Sequence, residues 1–141
     1  MDDNLKKIVS FLDEHHVMSS ATSGDDGLSV CNLFYAFDAE KISFVVASSE
    51  DTTHIKNILK NPSVAGSVVL ETKTVGKIQG LQFRGDFSLL VDSNLKKLYF
   101  KTFPYALALG PKLWQIKIDW FKMTDNRLGF GKKIIWQGAS V

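Results

Sequence analysis

The chain has 141 residues, 45% hydrophobic and 23% charged, the balance of one globular domain (residues 1–141) large enough for a real core. A formal net charge of +2, without a dense Lys/Arg stripe, argues against a nucleic-acid partner. The single cysteine, Cys31, excludes an internal disulfide and a multi-cysteine zinc site, and no apolar run approaches the roughly 20 residues of a membrane helix, so a reduced, cytoplasmic protein is expected.

The start, Met1-Asp2-Asp3, is acidic where a secretory signal would be basic. Leu5, Ile8, Val9 and Leu12 then follow helical spacing, with Asp2 and Asp3 suited to its start and His15-His16 to its end. Adjacent histidines point in different directions on a helix, so no metal site is expected there. Val17 to Ser23 is β-compatible, Asp25-Asp26-Gly27 is a turn signal, and Leu28 to Phe37 and Ile42 to Ala47 read as a hairpin joined through Asp38-Ala39-Glu40-Lys41. Ile55, Ile58 and Leu59 form one helical face that Asn61-Pro62 ends. Val64 to Leu70 reads as a strand, and Lys77 to Val91 as a long one in which Gly80 and Gly85 suit a bend or bulge. Ser93 to about Leu109 reads as a helix with apolar Leu95, Leu98, Tyr99 and Leu107, kinked or divided at Pro104. From Leu113 to Met123 the pattern alternates, with Trp114, Ile116, Ile118 and Trp120 sharing one parity. Thr124-Asp125-Asn126 turns the chain, and Lys133 to Gln137 is the last strand. About six strands in consecutive hairpins predict a mainly β fold with flanking helices, a small antiparallel barrel whose closure removes exposed edges.

Four stretches are candidates for chemistry. In "SSEDTTHIKNILKNP", from Ser48, a helix start leaves backbone N–H groups unpaired and attracts phosphate, with Thr52, Thr53, His54 and Lys56 as further donors. The alternative is a capped connecting helix, and Asp51 competes for the same amides. In "TDNRLGFGKKIIW", Gly129 and Gly131 allow close backbone approach, Phe130 can pack on a flat ring, and Lys132 and Lys133 are cations; a hairpin turn with solvated lysines is the alternative. Asn32, inside the apolar "SVCNLFYAF", needs polar partners from a ligand, the backbone or water, and Cys31 beside it reads as a small core residue. Gln82 and Arg84 share a strand face in "GLQFRGDF", functional or simply solvated. No nucleophile elbow, P-loop, zinc-protease or dinucleotide fingerprint is present, so no catalytic residue is named.

The order of these pieces resembles the pyridoxamine 5′-phosphate oxidase-like FMN-binding split barrels, and within them the YhbP-like bacterial proteins, along almost the whole chain. The resemblance implies an antiparallel six-stranded split β-barrel in which the turn at Ser48, Thr52, Thr53 and His54 holds the FMN phosphate. It implies that Cys31, Asn32 and Leu33 face the flavin largely through backbone groups and that Gln82 lies near the polar edge of the ring. The cleft would form between two subunits of a homodimer, with Gly129, Phe130, Gly131 and Lys132 closing it, and Lys56, Arg84 or Lys132 supplying charge. Oxidases of the vitamin pathway have an Arg-Lys pair where this chain has Thr53-His54, and their arginine-bearing C-terminal motif has no match, so that vitamin reaction is not expected. The expected function is FMN binding, with flavin-dependent redox chemistry on a small molecule. The alternatives are a non-catalytic module for flavin, haem or another cofactor, and a ligand-free interaction protein.

Overall fold

In the computed structural model, residues 1–138 are described. Helix α1 (Asp3–Asp13) is capped by the Asp2 carboxylate, which accepts from the Leu5 N–H. It buries Leu5, Ile8, Phe11 and Leu12 in the main core, so Phe11 joins the expected stripe and Val9 sits at its margin. Strands β1 (Val17–Gly24), β2 (Gly27–Asp38) and β3 (Ser43–Ala47) follow as hairpins. Ile42, expected to open β3, has φ 47°, a left-handed conformation incompatible with a strand, so pairing starts at Ser43.

Helix α2 (Thr53–Lys60) packs Ile55 and Ile58 inward. Leu59 does not share that face; it lies one helical step round from Ile58 and is 65% exposed. Strands β4 (Ser63–Val69) and β5 (Gln79–Leu89) form a hairpin across a short 3-10 turn at Val75–Lys77. Helix α3 (Ser93–Thr102) stops before Pro104 and a separate short helix, α4 (Ala106–Leu109), follows; Leu107, detached from the expected helix face, is exposed. Strand β6 (Leu113–Asp125) runs through the expected turn, because Asp125 is buried and paired with Arg127, and β7 (Lys133–Gln137) completes the sheet.

Of the seven strands among the described residues, six close a ring: β3-β2-β1-β4-β5-β6, with β6 returning to β3, all antiparallel. β7 adds to the far half of β6, where β3 no longer reaches. The ring is split because β2 pairs with β3 only from Tyr35 to Asp38. Phe44, Phe83 and Phe121 fill its interior, and α3 covers Ala36, Val45 and Leu113 from outside. Among the described residues no helix is long and apolar enough to cross a membrane.

The β5–β6 ladder slips by one residue at Arg84/Gly85, leaving Asp119 unpaired. The anticipated bulge therefore lies on the strand opposite Gly85. Gly85 accommodates it, since a Cβ there would come within 2.3 Å of the Lys117 carbonyl oxygen. The slip also overturns the expected parity. Trp114, Ile116 and Ile118 point into the core, but beyond Asp119 the inward positions are Phe121 and Met123, and Trp120 stands on the outer face.

Candidate functional site

The strand–helix connection at Ser48–Thr53 is held by its own side chains. Thr52 caps α2, its Oγ1 accepting from the Ile55 N–H and donating to the Ser49 carbonyl. A 2.6 Å hydrogen bond joins Ser48 Oγ to His54 Nε2, while the Ser48 carbonyl accepts from the Trp114 indole. His54 is thus turned inward. Burial holds its imidazole below the ordinary value of 6.5, favouring the neutral ring. With the folded value below the unfolded one, the protein loses stability as pH falls through and below 6.5. Urea unfolding of wild type and His54→Gln over about pH 7.5 to 5.5 is expected to show a smaller acid loss in the variant.

The other side of α2 is open. Thr53, Lys56, Asn57 and Lys60 line a cleft of about 420 Å³ against the β1–β2 hairpin at Asp25–Ser29. Lys60 pairs with Asp25 at 2.5 Å, and Asn57 donates to Thr22 Oγ1. Lys56 has no ion pair among the described residues, so it and the Thr53 hydroxyl are the polar groups of α2 left to a ligand. Asp51 lines a different cleft, with Ser48, Ser49 and Leu109–Lys112. Its carboxylate therefore does not line the cleft at Thr53 and Lys56. The hairpin tip was the missing wall in the sequence: only the fold brings residues 25–29 beside residues 53–60.

The β2 edge adjoins this cleft through Leu28 and Ser29. The Tyr35 N–H bonds to the His16 carbonyl, which fixes the ladder phase: odd-numbered residues of β2 turn their backbone groups to β1. Those of Leu28, Val30, Asn32 and Phe34 point the other way, where no strand pairs with them among the described residues. Of the three β2 residues expected at a flavin, Asn32 presents both side chain and backbone groups outward, its Oδ1 accepting from Ser19. Cys31 and Leu33 face the core, and their backbone groups belong to the β1 ladder. Burial pushes the Cys31 thiol up, away from a nucleophile's value.

Gln82 projects from the same outer face, in a row that runs Asn32, Ser19, Ser67, Gln82, Lys122. Three strand spacings separate it from Asn32, about 14 Å along the sheet. The Gly129–Lys132 loop is not brought to this place. It follows Asp125, which pairs with Gln79, whereas the α2 end of β5 is marked by Asp86 opposite Ser63. Seven residues of strand separate the two ends, about 23 Å. Gly129 and Gly131 have positive φ, and the Gly131 N–H donates to Asn126 Oδ1, so the loop is a structured turn that leaves Phe130 87% exposed.

No family model matches the chain. It is 37% identical over 140 residues to a UPF0306 protein of Cronobacter sakazakii, covering 97% of each, and 38% identical over 138 residues to the UPF0306 protein YhbP of Escherichia coli, covering 96% of this chain and 99% of the relative. Among solved structures it is similar to an FAD-binding protein from Mesorhizobium loti (TM-score 0.69, 16% identity, covering 84% of this chain and 90% of the other). It is also similar to a provisionally named pyridoxamine 5′-phosphate oxidase from Listeria innocua (0.68, 15%, 84% and 96%) and to HutZ, the haem storage protein of Vibrio cholerae (0.67, 16%, 81% and 89%). These structural likenesses establish the split-barrel fold, in agreement with the sequence resemblance.

Proposed function

The chain belongs to the UPF0306 family of YhbP-like proteins, built on the pyridoxamine 5′-phosphate oxidase-like split barrel, and from that premise we propose that it binds FMN in a homodimer. The observation that carries this reading is the continuity of the Thr53–Lys56 cleft with the unpaired edge of β2. A phosphate suits the first, where a cation and a hydroxyl stand on the opening turn of a helix. The polar edge of a flavin ring suits the second, where the N–H and C=O groups of Val30 and Asn32 lack strand partners among the described residues. Thr53 and Lys56 would hold the phosphate, while Ser48, Thr52 and His54 shape the connection from behind. When bound, FMN supplies hydride or electron transfer to a small molecule.

Two features support the homodimer reading. Leu28, Val30 and Phe34 leave an apolar strip exposed beside the free edge, each more than half exposed, and the Gly129–Lys132 loop stands at the opposite end of its own barrel. A second copy with its loop against the first copy's cleft would cover the strip and bring Phe130 and Lys132 to the ligand. A haem-binding reading draws on the HutZ likeness but has less support in the side chains. His54 is bonded to Ser48, His15 Nδ1 to the Phe11 carbonyl, and only His16 is exposed. The reading as a ligand-free interaction protein draws on Asp51 and on Thr53-His54 standing in place of an Arg-Lys pair; of these, Asp51 lines another cleft. Titration with FMN and with riboflavin, which lacks the phosphate, tests the assignment. FMN is expected to bind at least about tenfold more tightly, about 1.4 kcal/mol; equal affinities would remove the phosphate anchor.

A further inference from the structure

The bulge at Asp119 has a chemical result. A regular β6 would carry Trp120 into the core with Ile118; the extra residue turns it outward, opposite Arg84 of β5. There the guanidinium carbon of Arg84 lies 4.5 Å from the centre of the indole ring. Bulges re-aim side chains in this way, and stacking on an aromatic face restrains the long arginine side chain. Arg84 is exposed and has no ion pair among the described residues. Its neighbour on β4 is Ala65, too short to cover it; of the exposed carboxylates nearby in the ladder, Asp86 stands opposite Lys117 and Asp119 sits in the bulge beside Trp120, and neither forms an ion pair with Arg84 among the described residues. The result is a positioned cation whose hydrogen-bonding fork has no partner among the described residues. Gln82, two residues along the same strand face, is about 7 Å away.

We infer that Arg84, held over Trp120, recognises the carboxylate of a small organic acid that binds on the outer face of the barrel beside the flavin. A guanidinium presents two parallel N–H donors that match a carboxylate, and arginine stays charged across the physiological range. The inference rests on the proposed cofactor site at the β2 edge, from which Arg84 is reached along the row Val30, Ala21, Ala65, Arg84, three strand spacings or about 14 Å, and it names the chemical class of the second ligand.

The test is calorimetric titration of FMN-treated protein with benzoate and with benzamide, its uncharged analogue, repeated without FMN. The FMN content of each sample is read separately from its absorption. Benzoate is expected to bind more tightly than benzamide, to lose at least tenfold in Arg84→Gln, and to lose less in Arg84→Lys, which keeps charge without the fork. Benzamide is expected to be indifferent to both changes. Equal binding of the two probes by wild type, or unchanged benzoate affinity in Arg84→Gln, would overturn the assignment. So would conversion of a dimer to monomers by Arg84→Gln, because the pair would then belong to the protein interface. A protein that takes up no FMN yet binds benzoate through Arg84 would refute the flavin site alone; one that holds FMN and ignores benzoate would refute the carboxylate site alone.

Discussion

Phe44→Ala is expected to lower the unfolding free energy by about 3–5 kcal/mol, a large fraction of a domain's total stability. Phe44 is fully buried on β3, at the seam where the ring closes against β6. Its ring meets Tyr35 and Phe83 at 4.9 Å, Phe37 at 5.0 Å and Phe121 at 6.4 Å between centroids. These neighbours come from β2, β5 and β6, so no single element can relax to fill the space that truncation leaves. Urea denaturation should show a large fall in midpoint with little change in slope. Phe130→Ala provides the contrast: that ring is 87% exposed, and its loss should change stability by no more than about 0.5 kcal/mol. A small effect at Phe44 would mean that the barrel does not close through β3.

The second large effect concerns the cofactor. Replacing Thr53 and Lys56 together by alanine is expected to weaken FMN at least about tenfold, about 1.4 kcal/mol. Both residues line the α2 cleft, and neither contributes to the core. The variant should therefore fold as wild type does, so that a lost flavin signal reports binding. Riboflavin affinity should stay the same, because it has no phosphate for these groups to meet. A double variant that binds FMN as wild type does would move the phosphate elsewhere, for example toward Ser48 and His54.

The amphipathic segments were readable because their side chains declare a period: α1, the β2–β3 hairpin and β7 lie close to the expected positions. Parity failed at Trp120 because an apolar residue at the next alternate position looks the same whether or not a bulge intervenes. Gly85 marked the place, but the extra residue belongs to a strand more than thirty positions away. Closure of the ring between β3 and β6 is likewise a pairing of residues distant in sequence.

At the candidate site, Lys56 and Asn32 were visible as polar residues in telling positions. Their accessibility was not. It depends on Lys60 being drawn to Asp25, on Asp51 lining another cleft, and on β2 leaving its ladder with β3 at Tyr35. The inward turn of His54 arises from its bond with Ser48, a contact that helix periodicity does not anticipate.

The most direct measurement is a visible absorption spectrum of the purified, folded protein after incubation with excess FMN and exhaustive dialysis. A retained flavin band, perturbed from that of free FMN, is the predicted result. A colourless but folded and dimeric protein would contradict the proposal that the cleft at Thr53 and Lys56 and the free edge of β2 form a flavin site.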